Sequence, residues 1–193
     1  MKKICFATNN LSKLAEISKQ LEGKYEIVSL KDIGCKEDIP ETQPTIEGNA
    51  IQKAKYIWEH YGVSCFADDT GLQVDALNGE PGVLSARYAG FQKNNEDNIN
   101  LLLKNLEGNE NRKARFLTVI CLLLAGEEYI FEGIAEGEIL TERLGVEGFG
   151  YDPIFRPNGF DRTFAQMSMI EKNEISHRGK AVKRLIDFLD MNS

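Results

Sequence analysis

The sequence predicts a mixed α/β fold: a sheet with both parallel and antiparallel strands, flanked by helices. Short apolar runs alternate with helix-period stretches through the first half of the chain, the pattern of strand–helix–strand units. A long apolar hairpin follows later, which argues against an all-parallel sheet. With 193 residues, 42% of them hydrophobic and 27% charged, the chain has apolar material for one sizeable core or two closely joined lobes. Residues 1–193 are therefore expected to form a single domain.

The elements follow in order. Residues 4–7 form an apolar run that stops at Thr8-Asn9-Asn10, after which Leu11, Leu14, Ile17 and Leu21 recur at helical spacing until Gly23. Residues 25–30 read as a second strand. The loop through Pro40 and Pro44 leads to Thr45, a good N-cap for a helix reaching about Tyr61, with Ala50, Ala54, Ile57, Trp58 and Tyr61 on its buried stripe. Residues 64–67 are strand-like, broken by Asp68-Asp69-Thr70-Gly71, and an extended pattern resumes over 72–77 before a turn at 79–82. The aspartates are thus expected to cap a strand end. A helix is expected over 96–106. Residues 114–124 are apolar on both faces, as in a central strand, and Gly126-Glu127-Glu128 turns the chain into a partner strand over 129–140. The last helix is expected from about Ser176 to Asp190, burying Val182, Leu185, Ile186 and Leu189.

Charge and cysteine usage exclude several classes. The formal net charge is -7, so general attraction to nucleic acid or to an anionic membrane is disfavoured, and any phosphate must be held by a local basic cluster. Cys5, Cys35, Cys65 and Cys121 lack metal-ligand spacing and read as reduced core residues. The apolar stretch before Asn9 is too brief for a signal peptide core or a membrane span, so a cytoplasmic protein is expected.

Four motifs could carry chemistry. In Thr8-Asn9-Asn10-Leu11-Ser12-Lys13, a cap at Asn10 puts Lys13 in the first helical turn, where the helix dipole disfavours a cation unless an anion binds there. Adjacent carboxylates in Asp68-Asp69-Thr70-Gly71 are costly when buried unless a cation compensates, and oxygen-only ligation suits Mg²⁺. One of them could then orient or deprotonate a water. Asn49 and Lys53 lie one helical turn apart, facing away from the apolar stripe, and Glu41 in the preceding loop is available as a second metal carboxylate. Finally, Gly148-Phe149-Gly150-Tyr151-Asp152-Pro153 offers a ring for stacking and an acceptor, while Ser176-His177-Arg178 opens a second helix with basic residues. Singly, each motif is also what an ordinary cap, turn or solvated helix face looks like; His60 reads as structural.

Together these motifs resemble the Ham1/RdgB inosine triphosphatase family. Thr8-x-Asn10-x-x-Lys13, Pro40-Glu41-Thr42, Glu47-x-Asn49-Ala50, Ala67-Asp68-Asp69-Thr70-Gly71-Leu72, Pro81-Gly82-Val83-x-Ser85-Ala86-Arg87-Tyr88, Gly148 to Pro153 and Ser176-His177-Arg178 occur in the family's order along nearly the whole chain. The resemblance implies a two-lobed fold with a long mixed central sheet, a cleft between lobes and a homodimer. It also implies Mg²⁺-dependent hydrolysis of inosine, deoxyinosine and xanthosine triphosphates to monophosphate and pyrophosphate. Carried over by motif, Asp69 resembles the general base and a metal ligand, with Glu41 and Asp68 as further metal carboxylates. Thr8, Asn9, Asn10 and Lys13 resemble the triphosphate cradle, with Lys53 and Arg87 as further phosphate contacts. Thr70 matches a contact beside the base, and Phe149, Gly150, Tyr151, Asp152, Lys172, His177 and Arg178 match the nucleobase pocket. The chain departs from the pattern once: many bacterial relatives read Glu-Asn-Ala where it has Glu47-Gly48-Asn49-Ala50, which leaves Glu47 a second choice for metal binding.

Two other classes share some of these features. An aspartyl-phosphate phosphatase would use paired aspartates, but in the pattern Asp-x-Asp-x-Thr, and would release orthophosphate. A non-catalytic nucleotide sensor could use the same basic helix starts without turnover.

Overall fold

The computed structural model describes residues 2–23 and 25–192, with only the backbone of Lys2. Met1, part of the N-terminal reading above, lies outside the described residues. The chain runs β1 (Lys2–Phe6), α1 (Leu11–Leu21), β2 (Tyr25–Val28), α2 (Ile46–Tyr61), β3 (Cys65–Val74), β4 (Pro81–Gly82), α3 (Asn95–Asn105), β5 (Lys113–Leu124), β6 (Glu127–Ile139), β7 (Phe155–Pro157), α4 (Met169–Ile175) and α5 (His177–Met191), with short 3-10 turns between. The strands form one sheet in the order β2-β1-β3-β5-β6-β7, and β4 pairs with β3. Pairing is parallel where helices cross over, Ile4 opposite Ile27 and Cys5 opposite Cys65, and antiparallel at Leu72–Gly82 and Ile139–Phe155. The sheet is mixed, as the alternation of elements predicts.

Caps define several helix starts. Asn10 accepts from the N–H groups of Ser12 and Lys13, Thr45 from Gly48, and Asn94 from Asp97. The β5–β6 hairpin turns at Ala125 and Gly126, both at positive φ (51° and 91°), as a tight two-residue loop between right-twisted strands requires. The turn thus precedes the expected Gly126-Glu127-Glu128, and the partner strand already begins at Glu127.

The chain divides into two compact units. Met1–Asp69, Thr118–Gly133 and Gly179–Ser193 make the first; Thr70–Leu117 and Ile134–Arg178 make the second. In the first, Phe6 and Phe66 stack at 4.6 Å between centroids, packed with Ile17 and Leu21 of α1 and Val182, Leu185 and Leu189 of α5. In the second, Phe116, Phe155 and Phe164 pack together with Leu72, Ile99, Leu102 and Tyr151. The end of β5 in the first unit, residues 118–123, is buried on both faces, whereas Lys113 and Arg115 alternate with buried Ala114 and Phe116 in the second.

Two expectations are corrected. Asp68-Asp69-Thr70-Gly71 does not break a strand: β3 runs without interruption from Cys65 to Val74. Leu11 is not on the buried stripe of α1 but 79% exposed, because it opens the helix beyond the edge of its packing surface. Asn49 and Lys53, read as facing away from the apolar stripe of α2, are buried at 2% and 6% exposure under the loop that precedes the helix. The capped helix α4 was not foreseen, although Ser168-x-x-Glu171 is a capping box whose two reciprocal hydrogen bonds are both made.

Candidate active site

Alternation along β3 decides where its charges go. Successive side chains of a strand point to opposite faces, so Phe66, Asp68 and Thr70 share one face while Cys65, Ala67 and Asp69 share the other. Asp68 accordingly lies on the side of α1, where Lys13 Nζ meets its Oδ2 at 3.0 Å with the carboxylate side chain fully buried. Asp69 lies on the side of α2, where Asn49 Nδ2 donates to its Oδ2 at 3.3 Å. Two adjacent aspartates thus sit back to back, each with its own partner.

Lys53 joins these groups. Its ammonium donates to Glu41 Oε1 at 2.6 Å and to the Asp68 carbonyl at 2.7 Å. Burial pulls its pKa down, but Asp69, Glu41 and Asp68 outweigh this and hold it above the ordinary lysine value. For Asp69 the balance is reversed. Burial pushes its carboxyl above the usual carboxylate range; Lys53 and Lys13 offset only part of that, while Glu41 and Asp68 add to it. A carboxylate with a raised pKa is better suited to accept a proton at neutral pH.

Thr8, Asn9 and Asn10, expected to cradle phosphate, belong to the same unit. Thr8 Oγ1 accepts from Asn10 N–H at 3.1 Å, and Asn9 and Asn10 are exposed at the N-terminus of α1, whose first-turn lysine already neutralises Asp68. Among the described residues, no three His, Cys, Asp or Glu side chains group as a metal site. Strand alternation puts Asp68 on the opposite face of β3 from the side that holds Glu41 and Asp69. The latter two remain an all-oxygen donor pair on one side of β3. That pair fits Mg²⁺, which uses one or two carboxylates and fills its octahedron with water and phosphate oxygens. Glu47 is exposed on the first turn of α2.

The residues expected to hold the base gather in the second unit. Lys172, in the last turn of α4, meets Asp152 Oδ2 at 2.7 Å, with both side chains 4% exposed. The same oxygen accepts from Phe149 N–H at 2.9 Å. Gly148 makes this possible: its φ is +71°, and a Cβ there would collide with the Asp152 carboxylate. Lys172 Nζ and Arg178 Cζ lie 5.0 and 5.4 Å from the centre of the Phe149 ring, a close cation–π arrangement. Arg178 Nη2 donates to Thr70 Oγ1 at 3.1 Å, and the His177 ring stacks on Phe116 at 4.4 Å. Tyr151 is a core residue whose hydroxyl donates to the Ser85 carbonyl at 2.7 Å, while Gly150 and Arg87 are half-buried, Arg87 on the 3-10 turn Ser85–Arg87.

Sequence reasoning passed over the residues that hold these loops. Buried Asn98 accepts from Ala89 N–H and donates to the Ser85 and Ala86 carbonyls, pinning the turn that bears Arg87. Gln52 pins Thr42 beside Glu41 through its side-chain oxygen and nitrogen, both at 2.8 Å. Neither carries a local signal, because a polar residue on a helix reads as solvated until the covering loop is known.

The Ham1 family model matches residues 4–188. A dITP/XTP pyrophosphatase of Flavobacterium johnsoniae is 62% identical, with 97% of each chain covered, and one of Porphyromonas gingivalis is 53% identical, with 98% of each covered. Among solved structures, the Ham1 protein of Staphylococcus aureus superposes with a TM-score of 0.91 over the whole of both chains at 39% identity. A nucleoside-triphosphatase / dITP/XTP pyrophosphatase of Mycobacterium abscessus gives 0.77 at 46% identity, covering 95% of this chain and 98% of its own. Matched along nearly its full length by model, sequence and structure, the chain belongs to the Ham1 family.

Proposed function

We propose that this chain hydrolyses purine nucleoside triphosphates carrying the wrong base, namely those of inosine, deoxyinosine and xanthosine, to the monophosphate and pyrophosphate. The observation that supports it best is Asp69: a half-buried carboxylate with a raised pKa in the field of Lys53 and Lys13, in a chain 62% identical to a protein named dITP/XTP pyrophosphatase. On this reading residues 1–193 act as one two-lobed domain.

The polyphosphate lies at the start of α1, where Thr8, Asn9 and Asn10 present backbone and side-chain donors. Lys13 and Lys53 add charge, and Arg87 is a further phosphate contact. Asp69 holds the attacking water in line with the α-phosphorus and takes its proton as the P–O bond forms and pyrophosphate leaves. Glu41 and Asp69 would hold Mg²⁺, with Asp68, clamped by Lys13, as the third carboxylate nearby. When bound, the ion neutralises the negative charge that builds up on the phosphate oxygens. The base stacks on the Phe149 ring, between Gly150 and the buried Tyr151–Asp152 pair. Lys172, His177, Arg178 and Thr70 supply donors for an oxygen at position six, where adenine carries an amino group instead. Each mismatched buried group costs about 1 to 3 kcal/mol, so several are needed for strong discrimination.

A nucleotide panel with Mg²⁺, scoring pyrophosphate against orthophosphate, tests this reading. The expected outcome is pyrophosphate from inosine, deoxyinosine and xanthosine triphosphates, much less from ATP, and loss of turnover with EDTA. Orthophosphate as product, or equal rates on ATP and inosine triphosphate, would count against it. We further propose a homodimer, supported by apolar surface at Phe91 (91% exposed) and Leu84 (46%), and testable by light scattering. No helix among the described residues is long and apolar enough to cross a membrane. Four buried free cysteines support placement in the cytoplasm.

A further inference from the structure

One polar stripe of α2 holds down the loop in front of it. Asn49, Gln52, Lys53 and Tyr56, spaced i, i+3, i+4 and i+7, share a side of the helix, and residues 37–43 run back along them in reverse order. Gln43 N–H donates to Asn49 Oδ1 at 2.9 Å, Thr42 N–H to Gln52 Oε1 at 2.8 Å, and Lys53 to Glu41 at 2.6 Å. Farther along, Tyr56 donates to Glu37 at 3.2 Å, joined there by Tyr61 at 2.5 Å. Gly48 gives the loop its room: a Cβ there would come within 2.8 Å of the Gln43 Cβ and 2.9 Å of Thr45 Oγ1. This accounts for a glycine between Glu47 and Asn49.

Asn49 does something the other residues of the stripe do not. Besides taking the Gln43 N–H, it donates through Nδ2 to Asp69 Oδ2. A backbone N–H can only donate, so the amide oxygen must face Gln43, and the amide nitrogen is thereby aimed at the carboxylate. We propose that Asn49 is the positioning residue of Asp69: its amide fixes one carboxylate oxygen, turns the other toward the attacking water, and couples that orientation to docking of the loop that bears Glu41. The proposal rests on the hydrolytic reading above. An undocked loop would free the Asn49 oxygen, let the amide turn over, and release Asp69 into other rotamers.

The test uses the full-length enzyme and four variants. Asn49→Asp keeps an oxygen for the Gln43 N–H but replaces the donor to Asp69 by a second acceptor. Its kcat on inosine triphosphate should fall by about tenfold or more while KM moves by less than about threefold, since the phosphate contacts on α1 are untouched. Gln52→Ala removes the Thr42 tie but leaves the loop docked through Asn49, Lys53 and Tyr56, so it should lower kcat by less than about threefold. In thermal unfolding, N49D should melt several degrees below wild type, and the double variant N49D/D69N, which restores one donor and one acceptor with roles exchanged, should melt above N49D. The proposal is overturned if KM rises as much as kcat falls, if Q52A is as damaging as N49D, or if the double variant melts no higher than N49D. Wild-type enzyme releasing no pyrophosphate from any nucleotide would instead sink the hydrolytic reading, and D69N with the melting series would still decide whether Asn49 orients Asp69.

Discussion

Side chains on β3 set the chemistry one residue at a time. Asp68 and Asp69 differ by a single position, yet one is the fully buried partner of Lys13 and the other a carboxylate pushed up in pKa beside Lys53. The two therefore respond differently to substitution. Asp69→Asn should lower kcat by about 10² to 10⁴-fold with little change in nucleotide KM, measured by pyrophosphate release; an unchanged kcat would remove Asp69 from the role of base. Lys13→Met should do something else first, because it strands the Asp68 carboxylate in the interior. Urea unfolding should show a loss of about 3 to 5 kcal/mol, much of it recovered when Asp68→Asn is added. Equal stability of Lys13→Met and wild type would mean that the pair carries no structural weight.

At the level of elements, the helix starts were legible and the covered faces were not. Asn10 and Thr45 cap α1 and α2 as their positions before apolar periodicity foretold, since a cap is a local bargain between one side chain and two or three N–H groups. Burial of Asn49 and Lys53 depends instead on a loop packed over α2, which no helical period can register. The turn from Gly148 to Asp152 belongs with the legible features: its glycine at φ +71° admits the Asp152 carboxylate, which in turn is tied to Lys172. Gly148→Ala should therefore cost about 1 to 3 kcal/mol of stability and raise KM for inosine triphosphate more than it lowers kcat. A thermal melt and a Michaelis curve on the same preparation check both halves, and an unaltered KM would detach this turn from base recognition.

Across the whole molecule, the buried thiols give a pH dependence. Burial, with smaller contributions from neighbouring groups, pushes Cys5, Cys65 and Cys121 up to about 12. Unfolding returns them to about 8.5. Above that pH the unfolded chain binds fewer protons than the folded one, so stability is unaffected at neutral pH and falls as pH rises from about 8.5 toward 12. Unfolding free energies at pH 7 and pH 10 should differ in that sense, and iodoacetamide should label these thiols rapidly only after denaturation; fast labelling of the folded enzyme at pH 7.5 would contradict their burial. The sequence by itself determined the mixed α/β class, the order of nearly all elements, the caps, and the residue types from which both clusters are built, because periodicity, capping and charge are properties of near neighbours. Tertiary structure alone decided that the two aspartates point to opposite faces of one unbroken strand, that Lys53 is buried between Glu41 and the Asp68 carbonyl, and that Asn49 reaches Asp69. Those outcomes depend on side chains from segments distant in sequence competing for the same few ångströms, and no local pattern encodes which of them meet.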